Sequence, residues 1–101
     1  MGKANVQAIE NIIRGARTEQ VAELIGEFVD QMLENIRDTN VEIGELERHI
    51  THAEQVGDTH SMEYWCERQN YADTKMHSYN YALEVFCHET LGCDLDAITT
   101  W

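Results

Sequence analysis

Apolar residues recur along most of the chain at alternating intervals of three and four, the spacing that gathers side chains onto one stripe of an α-helix. Val6, Ile9, Ile13 and Ala16 form the first stripe and predict a short helix over about residues 4–14, weakened at Gly15. Thr18 suits an N-cap, and Glu19 and Glu23 after it suit the positive end of a helix dipole. From there Val21, Ile25, Phe28, Met32 and Ile36 share one side, widened by Leu24, Val29 and Leu33 on its flanks. The ridge resumes at Ile43, Leu46, Ile50 and Ala53, which predicts a helix over about residues 18–56. Thr39 with Glu42 also matches a capping box, so the pattern allows a kink or break at Asp38-Thr39-Asn40.

Gly57-Asp58-Thr59 is a clear stop and start, with Gly57 as a C-cap and Asp58, Thr59 or Ser61 opening the next helix. Met62, Trp65, Gln69, Ala72, Met76, Tyr79, Leu83 and Phe86 then alternate without interruption over a helix of about residues 60–91. Gly92 ends it. The tight turn at residue 57 predicts an antiparallel hairpin with Ala53 and Trp65 close together. Residues 92–101 read as a capped turn whose Leu95, Ile98 and Trp101 fold back over the core. The expected fold is all-α: one domain over residues 1–101, a bundle of three or four helices built on a long antiparallel hairpin.

Composition agrees with the periodicity. The 101 residues include no proline and six glycines, enough chain for one modest core. The N-terminal segment has no long apolar stretch and no apolar run is long enough to span a bilayer, so the expectation is a cytoplasmic protein without membrane contact. Met1-Gly2 opens like a myristoylation signal, but Val6 stands where Ser or Thr is required. Three cysteines, Cys66, Cys87 and Cys93, are an odd count and read as reduced thiols, Cys66 and Cys87 serving as small hydrophobes.

Charge changes the picture most. Nineteen acidic residues against seven basic ones give a net charge of -12, which repels nucleic acid and anionic membranes and favours a basic partner. Glu19, Glu23, Glu27, Asp30, Glu34, Asp38, Glu42 and Glu45 follow one another at steps of three or four and so share a face, opposite the apolar ridge and toward solvent. On a continuous helix the eight carboxylates span about 39 Å, about one charge per 5.6 Å, against one per roughly 3.4 Å along a DNA strand. An ordinary solvated face intersperses Lys or Arg and gains a few tenths of a kcal/mol per pair. Between Glu19 and Glu54 only Arg37 and Arg48 are basic.

In size and charge the chain resembles the small acidic proteins of phage and mobile elements that obstruct nucleic-acid-binding defence or transcription proteins by imitating DNA. That class has no shared motif. The resemblance implies stoichiometric inhibition of a basic, nucleic-acid-binding protein through the eight carboxylates, without a cofactor. Tyr64, Arg68 and Tyr71, residue types common as interface anchors, are the accessory partner-binding candidates. With Tyr81 these rings lie off the seam of the last helix, where the simplest expectation is packing against the first helix. The broad stripe of Leu24, Phe28, Val29 and Leu33 is the candidate surface for a homodimer.

Other chemistry is poorly represented. Glu45, His49 and His52 share a helix face and the hairpin register brings Cys66 toward His52, four ligand types for zinc, although their place beside Leu46, Ile50 and Ala53 is an ordinary one for polar flanking residues. Cys87-His88 with Cys93 matches no zinc-knuckle spacing, and Gly92 stands where a zinc-protease helix begun at His88-Glu89 needs its second histidine. Ser61 and Ser78 lack a glycine-rich elbow, and no phosphate loop is present. The sequence predicts a non-catalytic binding module, with a structural or adaptor protein and a metal-binding sensor as alternatives.

Overall fold

A computed structural model describes residues 2–15 and 18–100. Ala16 of the first apolar stripe and Trp101 of the tail lie outside the described residues. The molecule is all-α in class, with three α-helices among the described residues, two of them long. A two-residue strand β1 (Lys3–Ala4) leads into α1 (Val6–Ile13), α2 (Thr18–Val56) and α3 (Thr59–Val85). A π-helical turn (Phe86–Leu91), a 3-10 turn (Leu95–Ile98) and a strand β2 (Thr99–Thr100) follow.

Local chemistry accounts for the boundaries. Asn5 caps α1 by accepting from the Ala8 amide at 3.1 Å. Thr18 is already helical, with its hydroxyl donating to the Gly15 carbonyl, so it is the first residue of α2 and not its cap. Gly57 takes the left-handed conformation that closes α2 (φ 71°), and Asp58 opens α3 by accepting from the Ser61 amide and hydroxyl. These bonds favour the charged carboxylate and hold the Asp58 carboxyl below its usual range.

No break occurs at residues 38–40. Thr39 is buried and its hydroxyl donates to the Asn35 carbonyl one turn back, at 2.7 Å. The capping-box pattern is overridden because that hydroxyl is satisfied inside the helix while the side chain contributes to the buried seam.

Phe28 meets Phe86 with ring centroids 5.1 Å apart, Lys75 bonds Glu42 at 3.0 Å and His49 stacks on Trp65 at 4.2 Å. α2 and α3 therefore run along one another in opposite directions in a rod with extents of 62 × 21 × 18 Å. At one end α1, both strands and the final turns close the core around Ile9, Ala22, Val29, Leu33, Leu83, Cys87 and Ile98. Among the described residues the other end holds only α2 and α3, with Leu46, Ala53 and Ala72 buried there.

The core differs from the predicted stripe in its centre. The buried line on α2 runs through Ala22, Gly26, Val29 and Leu33, while Ile25, Met32 and Ile36 are half-buried and Val21 is exposed. Small side chains explain the shift, because a Cβ at Gly26 would sit 3.2 Å from the Val6 side chain and 3.7 Å from Ala4. The N-terminal segment crosses α2 where α2 is thinnest. The tail folds back as expected through buried Ile98 and half-buried Leu95, and it also pairs with the N-terminus, Lys3 opposite Thr100 and Ala4 opposite Thr99.

Candidate partner-binding surface

The eight carboxylates of α2 do not all remain on one free face. Glu19, Glu23, Glu27, Glu34, Asp38 and Glu45 are exposed, Glu34 standing 3.8 Å from Arg37. Asp30 is exposed but occupied, its Oδ1 accepting the Ala4 amide at 2.7 Å. Glu42 is half-buried and bonded to Lys75, whose ammonium this hydrogen bond holds above its ordinary pKa.

The acidic series and the core seam drift in opposite senses around α2. The acidic series takes seven steps over 26 residues, about 3.7 per step, and at 100° per residue it advances about 80° around α2 between Glu19 and Glu45. The line of buried and half-buried residues from Ala22 through Ile25, Val29, Met32, Ile36, Thr39, Ile43, Leu46 and Ile50 to Ala53 takes nine steps over 31 residues, about 3.4 per step, and drifts about 140° the other way. Glu42 is engaged because α3 brings Lys75 to it, the ammonium reaching its Oε2 at 3.0 Å.

The predicted accessory residues come together. Tyr64, Arg68 and Tyr71 line a hollow of about 390 Å³ with Glu42, Glu67 and Lys75. The Arg68 guanidinium lies 5.8 Å from the Tyr64 ring centroid and the Lys75 ammonium 5.4 Å from that of Tyr71. The tyrosines do not pack against α1, because α1 covers the Gly26 flank of α2; Tyr64, Tyr71 and Tyr81 are all exposed. Lys75 escaped the sequence reading, although its seven-residue spacing from Arg68 was a usable signal. A larger hollow of about 540 Å³ is lined by Gly44, Glu47, Arg48, Thr51, His52 and Gln55, all on α2, and is a shallow furrow on one helix.

The candidate dimer surface is split. Val29 and Leu33 are buried under α1 and the C-terminal turns and cannot meet a second chain, whereas Leu24 is 66 % exposed and Phe28 is 40 % exposed against Phe86. Val21, one turn before Leu24, and Val85, next to Phe86 in the chain, are also exposed.

Glu45, His49, His52 and Cys66 do not converge. His49 is stacked on Trp65, and Cys66, about 100° further around α3 than Trp65, falls on the opposite flank of the seam. Among the described residues no group of three His, Cys, Asp or Glu side chains is placed to hold a metal ion. All three cysteines are free. Burial pushes the Cys87 thiol up, helped by Cys93 and Asp94, the reverse of what an activated thiolate needs. No described helix is long and apolar enough to cross a membrane.

No protein-family model, no curated protein and no solved structure matches this chain, so the carboxylate line of α2 and the hollow and apolar patch beside it stand as its functional candidates on their own geometry.

Proposed function

We propose that the chain is a non-catalytic binding module, a bundle built on the α2–α3 hairpin, that blocks a basic, nucleic-acid-binding protein by laying α2 where a phosphate backbone would lie. The observation that carries this reading is the row of exposed carboxylates at Glu19, Glu23, Glu27, Glu34, Asp38 and Glu45 on a single uninterrupted helix. Ten acidic and two basic residues give α2 a charge of -8, two thirds of the total of -12. Such a line raises the encounter rate with a cationic cleft and exposes rigidly spaced acceptors to Arg and Lys. In this reading Tyr64, Arg68 and Tyr71 add an aromatic contact region carrying one cation beside the ridge, and the phage or mobile-element anti-defence role is the setting that such an inhibitor suits.

The test is the quadruple charge reversal E23K/E27K/E34K/D38K, which leaves the structurally engaged Asp30 and Glu42 in place. Circular dichroism should stay helical while capture of a basic nucleic-acid-binding protein from lysate, strong at low salt and lost at high salt, disappears. Undiminished capture by the reversed protein would remove the proposal. A second reading, an adaptor joined to a larger assembly through apolar contacts, is favoured by exposed Val21, Leu24 and Phe28 and requires complexes that persist at high salt.

A further inference from the structure

Val21, Leu24 and Phe28 lie at three- and four-residue spacing along α2, and Phe28 touches Phe86 across the hairpin with exposed Val85 beside it. This patch occupies the end of the rod where the acidic line begins. Glu27 follows Leu24 by one turn and Glu23 precedes it, so carboxylates border the apolar surface on its outer side.

We infer that the patch is a docking site for an amphipathic helix of the partner protein, one whose apolar face is flanked by Lys or Arg. The inference rests on the proposed blocking role for its choice of a cationic partner, and it adds an apolar anchor to a contact otherwise made of charge. Two arguments separate this occupant from a second copy of the chain. The exposed area of Val21, Leu24, Phe28 and Val85 is on the order of 300 Å², against about 800 Å² per partner in a stable interface. A twofold contact through the patch would also set Glu23 and Glu27 against their own copies, in molecules of charge -12. A helix with apolar residues at i, i+3 or i+4, and i+7 fits the two-turn length of the patch, and its basic flanks meet the bordering carboxylates.

The probe is a fluorescein-labelled 18-residue helical peptide with leucines on one face and lysines on the other, titrated with the whole protein at low and high salt. V21S/L24S should weaken binding about tenfold at both salt concentrations, with the helical circular dichroism of the parent retained. E23Q/E27Q should weaken it at low salt only. A peptide of equal charge with serines replacing the leucines should bind about tenfold more weakly than the probe. Wild-type affinity in V21S/L24S, affinity lost in Y64S/Y71S instead, or a dimer in sedimentation that V21S/L24S dissolves would each overturn the inference. Loss of target capture in E34K/D38K with V21S/L24S fully active leaves the blocking role standing and removes the patch. The converse pattern removes the blocking role and keeps the patch.

Discussion

Two glycines inside the same helix should respond oppositely to substitution. Glycine costs a helix interior about 1 kcal/mol relative to alanine, so one with space around it is a place to gain stability. Gly44 has nothing within 4 Å of an added Cβ, and Gly44→Ala should stabilise the protein by about 0.5–1 kcal/mol in urea unfolding. At Gly26 even one methyl is pressed at 3.2 Å by the Val6 side chain, and a longer side chain must push β1 and α1 away from α2. Gly26→Leu should cost about 1–3 kcal/mol, the range for an overfilled core, and should accelerate amide exchange in α1. An unchanged midpoint for Gly26→Leu would mean that α1 is not seated on α2 as described. Leucine is otherwise an excellent helix former, which makes the sign of this change a test of packing.

At the scale of elements, Asp30 and Glu42 show how two members of the acidic row became structural. Asp30 fixes the first strand, so Asp30→Ala should cost about 1 kcal/mol and deprotect the Ala4 amide, while Glu27→Ala, which removes two like-charge pairs, should stabilise slightly and leave that amide protected. Glu42 joins α2 to α3 through Lys75, whose pKa is raised in the folded state. A raised lysine favours the ammonium on folding, so this stabilisation is complete below the unfolded lysine value and is lost as pH rises through the folded one. Glu42→Gln should therefore be less stable than the parent at neutral pH, and the gap should close in strongly alkaline urea titrations. Neither role was legible in the sequence, because a residue at regular helical spacing shows its own face and not what another element brings to it. Where the determinants are local, the sequence sufficed: Gly57, Asp58 and Gly92 mark turns through their own backbone and side-chain chemistry, and the three helices fall near their predicted bounds. Distant partners hid the rest. Ala22 and Gly26 count little as hydrophobes yet line the core because α1 crosses there, and the pairing of Lys3–Ala4 with Thr99–Thr100 joins segments almost a full chain length apart. Tyr64 and Tyr71 were rightly placed off the seam, but only the position of α1 decides that they stay exposed.

For the molecule as a whole, the charge that makes α2 a candidate surface also works against its folding. Neighbouring carboxylates from Glu19 to Glu45 form seven like-charge pairs at three- or four-residue spacing, each costing about 0.2–0.5 kcal/mol at low salt. The sum, about 1.4–3.5 kcal/mol, is a sizeable fraction of the stability expected for a domain of this length. Screening should relieve it, since the Debye length falls from roughly 30 Å at 0.01 M to about 3 Å at 1 M salt. The melting temperature should therefore rise by several degrees as sodium chloride increases from low to high concentration. The E23K/E27K/E34K/D38K protein should melt higher than the parent at low salt, because four of the seven neighbouring pairs, Glu19 with 23, 27 with Asp30, Asp30 with 34 and 38 with Glu42, become attractive. Its salt response should flatten. If the reversed protein is more stable and no longer blocks its target, the acidic row is held against a folding cost that only binding accounts for. A lower melting temperature after reversal would instead make the carboxylates part of the scaffold, and the reading of α2 as a binding surface would lose its physical basis.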